Sequence, residues 1–369
     1  MSHLQVELIQ KYGYRGRAYT VTTADGYELG VHRLQRKGGR DPNLLPVLIV
    51  HGLLGSSADW VLIGPDAAIG YLLADAGHDV WLGNTRGNRY SRRHFQMSPD
   101  DVAFWNFSWH EKGMYDVPAM IDFILNESKP RYSQLYYIGY SEGTTAYFVM
   151  TSSLPEYRAK IRLAHALAPA VLLDEMRSPI LTTLANASPS LILVGERSNF
   201  VELFPWSEMQ NGFLRSVCQP FVERNPCALV FENAFGPNQD SLDMKVVQAM
   251  MGHCPSGAAL KEPKHYNQVI HTGIFQPYQE EGMENTVTAY NISASDVPIY
   301  IYYGVNDWIV HPKNVRRFAN ELPNVREIRP VGGKKFTHID FFIGKHVKPA
   351  VYNRILRNLR NDARAQQAK

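Results

Sequence analysis

The sequence predicts an α/β fold, a mostly parallel, doubly wound sheet with an inserted, mainly helical cap, and three observations predict it. Apolar strand-like runs alternate with helix-compatible stretches through residues 1–168. That rhythm stops over residues 169–296, where short helical patterns rich in Met, Phe and Pro take over, and it returns over 297–369. The third observation is Gly139-Tyr-Ser-Glu-Gly143, where a short β-prone run turns into a helix-compatible segment. A chain of 369 residues exceeds the roughly 250–300 at which single cores stop growing, so one large domain with a substantial insertion is expected.

In chain order, Tyr19 to Leu34 holds two β-rich runs joined at Ala24-Asp25-Gly26, and Asp-Gly is a strong hairpin signal. Pro46-Val-Leu-Ile-Val50 is apolar throughout, as a strand covered on both faces should be. Ala67 to Ala76 reads as a helix stopped by Gly77, and His78 to Gly83 as the next strand, so the unit is a parallel βαβ. A long connection carrying Phe104-Trp-Asn-Phe-Ser-Trp109 precedes a helix over Tyr115 to Glu127. After the Gly-x-Ser-x-Gly stretch, Ile161 to Ala168 reads as a strand ended by Pro169. The rhythm resumes with a strand at Pro298 to Gly304, a helix at Pro312 to Glu321, a strand at Val325 to Val331 and a helix at His346 to Leu359. The polar tail Asn361 to Lys369 is expected to fray.

Composition narrows the function. Hydrophobic content of 45% and charged content of 20% fit a folded globular chain, and a net charge of +3 with scattered basic residues argues against nucleic-acid binding. No apolar run reaches the roughly 18 residues of a membrane span, and no signal peptide is visible at the start. The chain is therefore read as intracellular, or as secreted or lysosomal after removal of a leader. Cys218, Cys227 and Cys254 cannot all pair; one disulfide with a free thiol fits the secretory route, three thiols the cytoplasm. Sequons at Asn106, Asn126, Asn186 and Asn291 lean towards secretion.

The chemistry is legible in residue type and order. A serine aimed out of a strand-to-helix turn sits in strained backbone, and glycines two residues either side keep neighbouring side chains clear. Acyl transfer by Ser141 needs a base and an acid that orients it, following in the order Ser, Asp or Glu, His. Asp307 lies directly after the returning strand, and His338 directly after the last one, flanked by aromatics that limit water. Asp340 is too near His338 in sequence to reach around the imidazole, and Asp296 precedes its strand and lies at the wrong edge. His51, His311 and His346 each have a structural reading instead. Two backbone N–H groups must face the developing oxyanion: that of Glu142, after the nucleophile, and that of Leu53, in the glycine turn after the strand ending at Val50. No metal or cofactor is needed. His110-Glu111 would make a zinc motif only with histidine at 114, which is Met, and neither dinucleotide nor phosphate-loop glycine patterns occur.

The motifs taken together resemble the acid lipases of the α/β-hydrolase fold, the family of gastric lipase, lysosomal acid lipase and many insect lipases. The resemblance runs through Leu8-Ile-Gln-Lys-Tyr-Gly-Tyr14, Val21 to Tyr27, His51-Gly-Leu-Leu-Gly55, Asp79 to Gly87, Phe104 to Trp109, Gly139 to Gly143, Asn306-Asp307 and His338-Ile-Asp-Phe341. It covers nearly the whole chain, though the cap shares little beyond Glu202-Leu-Phe-Pro205 and Tyr290-Asn-Ile-Ser293. It implies the same roles for Ser141, Asp307, His338, Leu53 and Glu142, and hydrolysis of triacylglycerols or sterol esters under a mobile lid. Two departures stand out. The family usually has Gly-His-Ser-Gln-Gly, whereas Tyr140 and Glu142 flank the serine here, and a carboxylate beside an oxyanion hole disfavours negative charge unless it is protonated or turned away. The cap's usual disulfide also lacks a partner, with Ala234 near that position and Cys218 as a substitute partner for Cys227.

The expectation is a serine carboxylester hydrolase acting on lipid esters through an acyl-enzyme, with transient contact with a lipid–water interface. Phe200, Phe204, Trp206, Met209, Phe213, Met250 and Met251 in the cap exceed what folding it requires, and Phe204 and Trp206 are the substrate-contact candidates. The alternatives are a short-chain esterase and a catalytically weak lipid-binding or yolk-type protein on the same fold.

Overall fold

A computed structural model describes residues 3–128, 132–198, 200–219, 226–237, 241–280, 282 and 287–368. Its core is a sheet of eight main strands: β1 (Arg15–Thr22), β2 (Tyr27–Gln35), β3 (Val47–Val50), β4 (Val80–Gly83), β5 (Leu135–Tyr140), β6 (Ile161–Leu167), β7 (Ile299–Gly304) and β8 (Val325–Val331). Their spatial order is β1-β2-β4-β3-β5-β6-β7-β8, and the two-residue strand Arg93–His94 pairs with β2. From β4 to β8 every pairing is parallel, whereas β1, β2 and β4 run antiparallel. Asp25-Gly26 turns the first hairpin, pairing Thr22 with Glu28, and Gly26 takes φ 96° there. Val47–Val50, Val80–Gly83 and Leu135–Tyr140 are buried at every residue, because helices cover both faces of the parallel sheet.

Outside the sheet lie α1 (His3–Lys11), α2 (Ile69–Asp75), α3 (Val117–Glu127), α4 (Glu142–Ser153), α5 (Pro179–Arg197), α6 (Glu208–Val217), α7 (Pro226–Phe235), α8 (Met244–Met250), α9 (Lys261–Thr272), α10 (Pro312–Ala319) and α11 (Asn353–Gln367). Helix α4 is buried throughout Glu142 to Thr151, so it lacks the two-faced pattern of a surface helix. Helices α5 to α9 follow β6 and precede β7, with Glu202–Leu203 paired against Ala258–Ala259 among them. Among the described residues no helix is long and apolar enough to cross a membrane.

The tail departs from expectation. Helix α11 continues to Gln367 instead of fraying after Leu359, with only Lys369 of that tail outside the described residues. Asp362 explains the extra turns: its carboxylate accepts from Arg162 (Nη2, 2.9 Å), from Tyr136 Oη (2.9 Å) and from Gln366 Nε2 (2.6 Å), while Ala363 is buried. Contacts across the sheet thus outweigh the polar composition that suggested fraying.

Candidate active site

Tyr140 ends β5 and Glu142 begins α4, leaving Ser141 alone at the turn with φ 49° and ψ −116°. A non-glycine residue at positive φ costs on the order of 1–3 kcal/mol and persists only where its surroundings hold it. The surroundings here are close. A Cβ on Gly143 would lie 2.5 Å from the Val50 carbonyl oxygen, and one on Gly139 would lie 2.9 Å from the Gly143 carbonyl. The Ser141 N–H donates to the Leu167 carbonyl at 2.9 Å, and Tyr137 Oη donates to the Gly143 carbonyl at 2.7 Å. Both glycines of the motif are therefore required by close backbone approach, not by φ.

The three residues placed in order by the sequence converge. His338 Nε2 lies 2.9 Å from Ser141 Oγ, and His338 Nδ1 lies 2.8 Å from Asp307 Oδ2. The other carboxylate oxygen of Asp307 accepts the backbone N–H groups of Ile309 (2.9 Å) and Val310 (2.8 Å), which fixes its plane. With Asp307 on Nδ1, the imidazole carries its proton there and leaves Nε2 free to accept from the serine hydroxyl. All three side chains are buried, with Ser141 only 9% exposed. This arrangement can deprotonate a serine as it attacks a carbonyl and return the proton to the leaving group.

Asp340 is engaged elsewhere, accepting from the Thr337 N–H at 2.7 Å and Thr337 Oγ1 at 2.9 Å. His311 caps α10, and Asp296 sits at a 3.9 Å surface pair with Arg158. His51 Nδ1 pairs with the Gly52 carbonyl at 2.7 Å, and its Nε2 accepts from the Thr85 N–H (3.2 Å) and Asn88 Nδ2 (3.0 Å). Burial pushes that imidazole down to about 4, so it stays neutral while it ties the loop after β3 to the loop after β4.

The Leu53 loop comes close to the serine. A Cβ on Gly52 would lie 3.0 Å from Ser141 Cβ, and the Leu53 N–H has no protein acceptor among the described residues. The loop ends in a capping box: Ser56 caps a short helical turn, and Asp59 Oδ2 accepts the Ser56 N–H at 3.3 Å. Burial pushes the Asp59 carboxyl up to about 7 from an ordinary 3.8. The native state thus keeps a proton that the unfolded chain has released. The stability this gives is fully present below about pH 4 and is lost as pH rises to about 7, by about 1.4 kcal/mol per pH unit. In melts taken across that window, Asp59→Asn is expected to flatten the fall of stability with pH. Parallel pH profiles for the two proteins would rule this titration out.

Several neighbours were not legible in the sequence. Tyr140, in place of the family's histidine, donates its Oη–H to the His338 carbonyl at 3.0 Å and packs on that imidazole at 5.1 Å. Phe235, at the end of α7, lies parallel to the His338 ring with centroids 6.3 Å apart, and its carbonyl accepts the Trp308 N–H at 3.2 Å. The Glu142 side chain bonds Lys112 Nζ at 2.7 Å, and the same ammonium bonds Glu262, all three buried. Only the tight order Tyr-Ser-Glu hinted at these contacts, since their partners lie up to roughly two hundred residues away.

The substrate-contact candidates stand apart from the triad's ring neighbours. Phe204 is exposed at φ 48°, and Trp206 stacks on the Arg89 guanidinium at 3.6 Å while donating its Nε1–H to the Gly252 carbonyl. Met250 and Met251 are buried in the hydrophobic core. Cys218 and Cys227 form a disulfide, and Cys254 is free. Among the described residues no His, Cys, Asp and Glu cluster could hold a metal ion.

Comparison with known proteins shows the family. Residues 5–64 match the model of the partial α/β-hydrolase lipase region, and residues 46–211 match that of the α/β-hydrolase fold. The chain is 39% identical over 362 residues to Lipase 1 of Drosophila melanogaster, covering 96% of this chain and 79% of that one. It is 32% identical to the gastric triacylglycerol lipase of Bos taurus, covering 96% and 91%. It is 31% identical to the lysosomal acid lipase/cholesteryl ester hydrolase of Rattus norvegicus, covering 95% and 89%. Among solved structures, a soluble variant of monoglyceride lipase from Saccharomyces cerevisiae superposes with a TM-score of 0.55 at 14% identity, covering 93% of this chain and 96% of that one. Naproxen esterase of Bacillus subtilis does so with 0.53 at 13% identity, covering 96% of each, and both share the fold. On these grounds the chain belongs to the lipase family of the α/β-hydrolase fold and is a carboxylic ester hydrolase.

Proposed function

We propose that the protein cleaves the esters of neutral lipids, triacylglycerols or sterol esters, through a Ser141 acyl-enzyme. The hydrogen-bonded chain from Asp307 through His338 to Ser141 carries this reading. His338 takes the Ser141 proton as Oγ attacks, the N–H groups of Leu53 and Glu142 hold the oxyanion, and His338 then protonates the departing alcohol. Water attacks the acyl-enzyme by the same route in reverse.

Residues 169–296 act as a cap over this site in our reading, supported by Phe235 stacked on His338 and by the low exposure of Ser141. Its outer surface favours a lipid interface: Phe200, Met209 and Phe213 are 55%, 85% and 66% exposed, and Leu229 and Val230 are also open to solvent. The Cys218–Cys227 disulfide and the exposed sequon residues Asn106, Asn126, Asn186 and Asn291 support a secreted or lysosomal location over a cytoplasmic one.

The test is hydrolysis of p-nitrophenyl esters of increasing chain length, with and without an emulsion interface. Rates are expected to rise with acyl length and with the interface. A strong preference for acetate would make the protein a short-chain esterase, and turnover no better than buffer would make it a lipid-binding relative.

A further inference from the structure

The residue whose N–H is assigned to the oxyanion hole carries a buried carboxylate. An anion there should oppose the charge that develops on the substrate, so something must offset it. Glu142 Oε1 bonds Lys112 Nζ at 2.7 Å, and the ammonium also bonds Glu262 Oε2, with none of the three side chains more than 4% exposed. The three come from separate elements: Lys112 from the turn before α3, Glu142 from the first residue of α4, and Glu262 from α9, which lies in the proposed cap. Glu262 is itself pinned, because its Oε1 accepts the Ala259 N–H at 2.9 Å. A second bond joins the same helices, between Thr145 Oγ1 and Tyr266 Oη at 3.0 Å.

Building on the reading of Ser141 and Glu142 above, we propose that Lys112 is a positioning residue of the oxyanion hole. Its ammonium turns the Glu142 carboxylate away from the reacting carbonyl, offsets its charge, and ties the start of α4 to cap helix α9. Ammonium and carboxyl groups share one buried site: burial, and then the proximity of Glu142, raises the Glu262 carboxyl well above its ordinary range. Burial opposes the Lys112 charge, but the two carboxyl groups more than compensate and raise its pKa. The other titratable groups facing the trio are Tyr266 and His51. Burial raises the Tyr266 phenol and lowers the His51 imidazole, so both stay neutral near pH 7 and leave Lys112 as the offsetting charge.

The experiment uses the full chain and a soluble p-nitrophenyl ester, measuring kcat, KM and their pH dependence beside thermal stability. Lys112→Met is expected to lower kcat by about 10- to 100-fold with KM changed less than about threefold, and the loss should deepen as pH rises. Adding Glu142→Gln to Lys112→Met removes the uncompensated carboxylate and should restore kcat at least about tenfold while levelling the pH profile. A purely structural role predicts no such rescue. Lys112→Met with kcat within about twofold of wild type would overturn the proposal, as would a double variant as slow as the single one. Should Lys112→Met fail to fold, the double variant alone decides: kcat within about tenfold of wild type supports the proposal and a larger loss sinks it. Ser141→Ala separates the two levels, since turnover persisting there removes the catalytic reading itself, whatever Lys112 does.

Discussion

Ser141→Ala is expected to lower kcat by about 10⁴- to 10⁶-fold while leaving the melting temperature within about 2 °C of wild type. The hydroxyl is the attacking atom, and among the described residues no other side chain hydrogen-bonds His338 Nε2 in its place, 2.9 Å away. Alanine takes up the same φ with no new contact, because only Oγ is removed. His338→Ala should cost nearly as much, and combining the two should cost little more, since residues that act as one unit are strongly non-additive. Steady-state turnover on a soluble ester checks both. A double variant whose loss approaches the product of the two single losses would mean that the two do not act in one step.

The largest expected effect on stability lies beside the site. Arg86, 1% exposed, bonds Asp116 through Nε at 2.8 Å and Asp25 through Nη1 at 2.6 Å, and stacks over the Tyr27 ring at 4.0 Å. Its own N–H also donates to Asp116 at 2.8 Å. The network joins the first hairpin turn, the loop after β4 and the turn before α3, and that loop carries the Thr85 and Asn88 contacts of His51. Arg86→Met leaves the fully buried Asp116 carboxylate without its cation and should cost about 3–5 kcal/mol. At about 2.1 cal/mol/K of unfolding entropy per residue, that lowers the melting temperature of this chain by roughly 4–6 °C. Adding Asp116→Asn should recover part of the loss, because most of the penalty is the unpaired charge. Thermal melts of the two variants check it, and a double variant no better than Arg86→Met would place the loss in packing on Tyr27 instead.

Much of this site was legible before any coordinates. Ser141, Asp307 and His338 stand in a fixed order after strand ends, and because these strands run parallel their carboxyl ends lie at one edge of the sheet. The motif glycines could be read the same way, because close backbone approach leaves a residue-type signature. What escaped was long-range and specific. Lys112 and Glu262 are 150 residues apart, and no periodicity links a lysine in one turn to a glutamate on a distant helix. The Glu142 side chain looked like a liability beside the oxyanion hole because its partner was invisible. Phe235 is one aromatic among many in the sequence, and Tyr140 stands out there only as a departure from the family's histidine; tertiary packing sets both on His338. The tail was misread for a related reason: Asp362 and Gln366 look solvated in sequence, but Arg162 and Tyr136 meet them across the fold.

The central claim is that Ser141 is the nucleophile, activated by His338. The direct measurement is stoichiometric labelling with an alkyl fluorophosphonate, followed by peptide mass spectrometry on wild type, Ser141→Ala and His338→Ala. One adduct per chain is expected, on the peptide holding Gly139 to Gly143, absent from Ser141→Ala and formed at least about a hundredfold more slowly in His338→Ala. An adduct on another residue, or equal labelling rates in wild type and His338→Ala, would contradict it.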